Sequence, residues 1–305
     1  CCTDTGGDTI THAQFVYDHG RRETSRTYGN GVVTTQTFRD DNRVETIQAS
    51  GVVDFTYSYD ANKRKLSETD GILATRSQTF GYDDEDRLTA WNRSGSDSEQ
   101  PASQDWNLSL VGDWDSTTVD SVTENRSHNA VHEITAIDGQ AASHDAKGNM
   151  TDNPKKDQTY AWDYENRMTS TVDNATTNVI ATYRYDALGR RVQRSNPHTS
   201  TTTTFVCSGA QVLAEYNQSG TQDKAYIYGS YVDEPLAVSD NAGAVSAPGS
   251  LLYYHRNHLY TVAAMTDETG TVVERYSYDS YGKRYVRDAA GVLAANQDGI
   301  QEYGF

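Results

Sequence analysis

Cysteine is scarce in this chain: Cys1, Cys2 and Cys207 are the only three in 305 residues. That excludes a disulfide framework, and none of the three stands in a pattern that marks a catalytic thiol. Five prolines are too few for a Pro-rich linker chain. No run of 18 apolar residues occurs, so no membrane-spanning helix is expected. Basic residues are in deficit, 26 against 43 acidic, for a net charge of −17 and a pI near 4.7. This balance argues against nucleic acid or an anionic membrane as the main partner. Helical periodicity is nearly absent, with "ALGR" and "DEDR" the only short candidates. Neither a Met nor a signal peptide opens the sequence, which therefore reads as a piece of something longer.

Large aliphatic residues are also few. Leu, Ile, Val and Phe number 49 together, and with the net charge of −17 this meets a compositional flag for disorder. The 21 Tyr and 4 Trp answer it, because disordered chains lack aromatics and each such ring buries roughly 150 to 250 Å². Thr-rich runs such as "TTQTF" and "TSTTTTFV" add strand propensity. The expectation is an ordered, Tyr-dominated β structure.

The stretch "YRYDALGRR" (183–191) returns as "YSYDSYGKR" (276–284). Aromatics at i and i+2 share one face of a strand. The following Asp suits a turn, since its carboxylate accepts from a backbone N–H two residues on. Gly189 and Gly282 then supply a position free to take positive φ, and a basic residue begins the return strand. The phrase reads as strand, turn, strand. Aromatic, any residue, Tyr or Trp, then Asp occurs six times where chance gives about 0.2, so it is an internal repeat. Its defining pairs are Tyr17–Asp18, Tyr59–Asp60, Tyr82–Asp83, Trp162–Asp163, Tyr185–Asp186 and Tyr278–Asp279. Two successive copies lie 23 residues apart twice, room for two strands and two turns. Arg87, Arg167, Arg190 and Lys283 stand four residues after their Asp, whereas Arg21 and Lys63 stand three after, which predicts shorter turns in the first two copies. "HNAVHEITAIDG" (128–139) and "HDAKGNMTDN" (144–153) read as degenerate copies with His in the aromatic place. Residues 92–127 break the pattern and read as a polar insertion with an irregular hairpin. At one hairpin per 23 residues the chain holds about 13 hairpins and on the order of 26 strands, a sheet wide enough that its twist must make it curl.

Other residues offer candidate chemistry. His255 and His258 in "HRNH" are three apart, which puts them on opposite faces of a strand, so no shared metal is expected without a turn. Asp113 and Asp115 in "GDWDS" would stand about 6 to 7 Å apart on one face of a strand, a conceivable glycosidase pair but in a chain with 30 Asp. "DDED" (83–86) lacks the spaced ligands of a calcium loop. The Tyr rows could stack on sugar rings, yet same-face Tyr is also what holds neighbouring strands together. No P-loop, G-x-S-x-G, H-E-x-x-H or C-x-x-C occurs. No cofactor and no metal is expected.

With such repeats the chain resembles the Rhs or YD-repeat family, which includes bacterial toxin-delivery proteins, toxin-complex C subunits and the teneurin shell. The likeness is densest through "YAWDYENRMTS", "YRYDALGRRV", "AYIYGSYVDEPLAV" and "YYHRNHLYTVAAMTDETGTVVERYSYDSYGKR", the last similar to the Rhs-associated core box. The resemblance implies an all-β fold of tandem hairpins forming one long spiralling antiparallel sheet, a partial shell or barrel. It implies N-terminal repeats over 1–91, the insertion at 92–127, further repeats over 128–250 and a truncated core over 251–305. The function implied is a structural shell on a secreted or cell-surface protein, partnered by the remainder of its own chain including a C-terminal effector. The alternative implied is an adhesion or carbohydrate-binding scaffold that meets glycans or cell-surface proteins. Self-cleavage in the family is attributed to core aspartates. Here Asn257 replaces one of them and Tyr260 replaces a Gly, leaving Arg256 and Asp267 as remnants. Relatives continue beyond "YGF" to their cleavage point, so a non-enzymatic chain is expected.

Overall fold

The computed structural model describes residues 2–3, 9–95, 100–230, 234–240 and 251–295. Cys1, residues 96–99 of the polar loop, residues 231–233 and 241–250, and the terminal "YGF" lie outside them, as does the side chain of Cys2. Alternating Thr, Tyr and Val favour the pleated, half-buried surface of a sheet, and the strands follow one another with little else between. The sequence neighbours Ala13–Tyr17 through Gln140–Ala141 make a 13-stranded sheet, and Ser143–His144 through Arg284–Asp288 a 14-stranded one. Cys2–Thr3 pairs separately with Thr9–Ile10. Each strand in a long sheet is hydrogen-bonded to its neighbours in sequence, the pattern of successive antiparallel hairpins. Among the described residues the only helix is the 3₁₀ turn Ala74–Arg76, so none is long and apolar enough to cross a membrane. "ALGR" and "DEDR" are hairpin turns.

Two features differ from the expectation. The expected single run of strands is divided in two between Gln140–Ala141 and Ser143–His144, two residues each. Residues 103–128 also keep the meander: Ser103–Leu108 pairs with Leu88–Arg93, and Trp114–Val119 pairs with Val122–His128 through the two-residue turn Asp120–Ser121, both at positive φ. That turn twists with the strands, so a polar sequence still makes a regular hairpin.

Contacts group the chain into two compact units, residues 1–105 with 226–305, and residues 106–225. The first unit holds the principal core. Ile47, Val53, Phe55 and Tyr57 pack with Ala263 and Ala264, and Tyr28 with Ala237, Leu251 and Tyr253. A third cluster joins Val238, Tyr254, Val262, Met265, Tyr276 and Val286. The second unit is a meander whose buried apolar side chains include Trp106, Ile137, Ala181 and Phe205.

Candidate functional site

The repeated turn is one structure used many times. At Asp186 the backbone N–H donates to the Arg190 carbonyl at 3.0 Å, and the Gly189 N–H donates back to the Asp186 carbonyl at 3.1 Å. Gly189 has φ +79°, so a type I turn is closed by a left-handed residue that adds a bulge. The strand register shifts by one beside it, between Arg184 and Tyr185. Asp186 Oδ1 accepts from the N–H groups of Leu188 and Arg190, both at 2.9 Å, and Oδ2 accepts from Arg190 Nε at 2.7 Å. The backbone N–H of Arg190 holds this carboxyl below its usual range against some desolvation, and the guanidinium adds to the effect.

The same bonds recur at Asp18–Arg22, Asp60–Arg64, Asp83–Arg87 and Asp163–Arg167, with Arg Nε to Asp Oδ2 distances of 2.6 to 2.7 Å. The first two turns are therefore not shorter, as Arg21 and Lys63 suggested. Those residues occupy the left-handed position, at φ 62° and 67°, while Arg22 and Arg64 behind them clamp the Asp. The third place after the Asp asks only for the required φ, and where an arginine clamps the carboxylate it stands fourth. His128 and His144 end strands whose turns begin at Asn129 and Asp145, as the degenerate copies implied.

In five of the six copies the aromatic before the Asp joins one hairpin to the previous one. Tyr185 Oη donates to the Met168 carbonyl at 2.8 Å, Tyr82 Oη to Lys65 at 2.9 Å and Tyr59 Oη to Val44 at 2.9 Å. Trp162 Nε1 donates to Met150 at 2.8 Å and Tyr278 Oη to Val262 at 2.9 Å. In every case the acceptor is one residue past the end of the preceding turn. Arg64 lies over the Tyr82 ring at 5.2 Å and donates to the Asp83 carbonyl at 3.0 Å; Arg167 lies over Tyr185 at 5.0 Å and reaches Asp186. The 23-residue spacing is thus the distance at which one hairpin's arginine and the next hairpin's Tyr–Asp pair meet.

Asn257 and Asp267 belong to the same grammar, whereas Arg256 pairs with Glu234 at 2.9 Å. Asn257 Oδ1 accepts from Leu259 and Thr261 N–H groups at 2.9 and 3.1 Å, with Tyr260 left-handed at φ 63°. Asp267 Oδ1 accepts from the Thr269 N–H and hydroxyl, at 2.8 and 2.7 Å, and from the Thr271 N–H at 3.0 Å. Partial burial pulls the Asp267 carboxyl upward, but the Thr269 hydroxyl and these N–H groups hold it below the usual range. His255 and His258 lie in different surroundings. His255 Nε2 meets Thr266 Oγ1 at 2.8 Å with its ring 4.5 Å from that of Tyr28, whereas His258 lies 4.1 Å from the Tyr57 ring. Burial, reinforced by nearby cations, pushes both imidazoles down to about 3. Among the described residues no three His, Cys, Asp or Glu are grouped to hold a metal ion.

Around the core box the first unit buries arginines that gave no periodic signal. Arg76 bonds Asp70 through Nε at 2.6 Å and reaches the Tyr276 carbonyl through Nη1 at 3.0 Å. Arg275 donates to the carbonyls of Val52, Gly51 and Ala289 at 2.6, 2.8 and 2.9 Å. Arg287 Nη2 and Ser277 Oγ both meet Gln100 Oε1 at 2.7 Å. Arg26 and Arg256 share Glu234 Oε1 at 2.6 and 2.9 Å. The partners lie about 180 to 230 residues apart in most of these pairs, so no local pattern could disclose them.

The remaining candidates are engaged locally. Asp113 Oδ2 meets His132 Nδ1 at 2.9 Å, while Asp115 is exposed. In "DDED", Asp83 and Glu85 pair with Arg87, and Asp86 pairs with Arg64 at 2.8 Å. Same-face aromatics do lie together, Phe15 with Tyr17 at 6.4 Å and Phe55 with Tyr57 at 6.2 Å. Cys207 carries a free thiol.

The family model described as Teneurin YD-shell matches residues 112–290, more than half of the chain. Among curated proteins the chain is 28% identical over 177 residues to the tRNA3(Ser)-specific nuclease WapA of Bacillus spizizenii and to the tRNA nuclease WapA of Bacillus subtilis. Those alignments cover 58% of this chain and 7% of each nuclease. Among solved structures, the TcdB2-TccC3-Cdc42 crystal structure matches over 97% of this chain at TM-score 0.74 and 17% identity. The Tc holotoxin pore of Photorhabdus luminescens matches over 97% at TM-score 0.72 and 16% identity. The chain spans 16% of the length of each of these toxin chains, and the likeness establishes the fold.

Proposed function

The chain belongs to the teneurin YD-shell family, and we propose that it is a wall segment of a shell on an exported protein, which encloses or presents an effector carried by the remainder of its own longer chain. The observation that carries this reading is the clamp that repeats from hairpin to hairpin. In five turns Asp and Arg form the clamp, the next aromatic bonds back to the turn before it, and the arginine reaches forward. Such a wall grows by repetition and needs no chemistry of its own. A small share of much longer relatives is consistent with a wall whose cargo lies elsewhere in the chain.

No catalytic step is part of the proposal. The side-chain oxygens of Asn257 and Asp267 serve their own turns. The net charge of −17 suits a surface kept soluble outside the cell. Electron cryomicroscopy of the natural full-length protein tests the reading. Separate chain density enclosed by the sheet is expected; an open sheet with an empty interior overturns enclosure and favours an adhesion scaffold.

A further inference from the structure

A pocket of about 360 Å³ in the first unit is lined by two turns, those that begin at Asn257 and Asp279, and by residues of the strands Lys65–Asp70 and Gln78–Tyr82. Tyr278 Oη bonds the Val262 carbonyl at 2.9 Å and holds the two turns side by side. Both turns depart from the clamp. Five other turns bond the second carboxylate oxygen of Asp to an arginine four places on. After Asp279 the fourth place is Lys283, whose Nζ lies 4.8 Å from the centre of the Tyr285 ring instead. Asp279 Oδ1 accepts from the Tyr281 and Lys283 N–H groups at 3.1 and 2.8 Å, while Oδ2 is accessible and has no partner among the described residues. After Asn257 the fourth place is Thr261. Asn257 Oδ1 serves its own turn, and Asn257 Nδ2 and Thr261 Oγ1 are likewise accessible and unpartnered among the described residues.

The two turns therefore offer the pocket a carboxylate oxygen that accepts, an amide that donates and a hydroxyl that does either. The cations of the lining call for no anion, since Lys65 meets Glu68 at 3.4 Å and Arg76 meets Asp70 at 2.6 Å. An organic cation fits less well. Lys65 Nζ already lies 4.2 Å from the centre of the Phe80 ring, and a cation has no use for the Asn257 donor. Leu259 and Tyr281, 62% and 58% exposed at the tips of the two turns, add apolar surface to the same lining. A pyranose ring matches this set, because its hydroxyls both donate and accept while its C–H face is apolar and suits an aromatic ring. The volume lies at the small end of the range for small-molecule sites.

We propose that this pocket binds a neutral pyranose sugar, whose hydroxyls donate to Asp279 Oδ2 and accept from Asn257 Nδ2, with its C–H face against Tyr281. The proposal concerns a ligand site in the wall and stands whether or not the shell encloses an effector.

Isothermal titration calorimetry of the 305-residue chain with the methyl pyranosides of glucose, mannose and galactose tests it, with cyclohexanol and choline as apolar and cationic comparisons. At least one pyranoside should bind saturably at millimolar concentration, more tightly than either comparison. Asp279→Asn keeps an acceptor for its turn, as Asn257 does, and should weaken binding about tenfold, the worth of a hydrogen bond to a charged group. Asn257→Asp also keeps its turn acceptor but removes the donor, and should weaken binding about fivefold. Absence of saturable heat with all three pyranosides, equal or tighter binding of cyclohexanol or choline, or unchanged affinity in both variants overturns the site.

Discussion

Arg275 Nη1 donates to the carbonyl of Val52 at 2.6 Å, although 223 residues separate them. The same guanidinium also serves Gly51 and Ala289, so it closes three backbone acceptors from two distant segments. Replacing it with Met should strand the buried Val52 carbonyl, while water can serve the exposed Gly51 and Ala289, and destabilise the chain by about 1 to 3 kcal/mol. Arg275→Lys keeps the charge but loses the planar fork, and should fall between Met and the parent. Urea unfolding followed by circular dichroism measures both; an unchanged midpoint in Arg275→Met would show that the bonds add nothing.

The aromatic staple has a simple test in Tyr278→Phe. Tyr278 Oη bonds the carbonyl of Val262, a residue with no exposed surface. Loss of the hydroxyl should cost about 1 to 2 kcal/mol. Tyr185→Phe, in a half-buried setting, should cost about 1 kcal/mol or less by the same reasoning. Equal and negligible losses in thermal unfolding would place the value of these tyrosines in ring packing alone.

In the turns, Asp186→Asn retains an acceptor for the Leu188 and Arg190 N–H groups, as Asn257 does at its own turn, but gives up the charge-assisted bond to Arg190. Asp186→Ala removes both. The expected order of thermal stability is parent, Asn, Ala, with faster hydrogen exchange at the Arg190 amide in Ala. The folded carboxyls of Asp18 and Asp186 lie below their unfolded values. Their contribution is therefore present above the unfolded value of about 3.9 and is lost as pH falls through the folded one.

His255 and His258 act in a higher window. Each folded imidazole titrates at about 3, below its unfolded value of about 6.5. Between these limits the unfolded state binds more protons, so stability is full above about 6.5 and declines as pH falls toward 3. The urea midpoint should drop between pH 7 and pH 4, before the carboxylates titrate, and the drop should shrink in His258→Phe. Imidazole resonances in the folded chain should stay neutral at pH 5; protonated shifts there would contradict the burial argument.

Much of the repeat could be read from residues alone. Tyr185, Asp186 and Gly189 announce a strand end, a turn acceptor and a left-handed position, because each property is local. Two basic residues in tandem leave the clamp ambiguous in the sequence. "HGRR" and "ANKR" each offered one three and one four places after Asp, and only the turn's bonding shows that Arg22 and Arg64 make the clamp. The core-box turns at Asn257 and Asp267 carried family expectations of chemistry, yet both side chains are turn acceptors.

The sequence by itself determined the unit of construction, since period-two aromatics and an Asp turn act over a few residues and repeat where they repeat. Only the tertiary structure decided which arginines are buried and what they hold. Arg26, Arg76, Arg275 and Arg287 meet acceptors brought from far along the chain, and such partners are set by how strands stack rather than by any local spacing. A buried charge needs its counterpart in place, and that place exists only after the strands have come together.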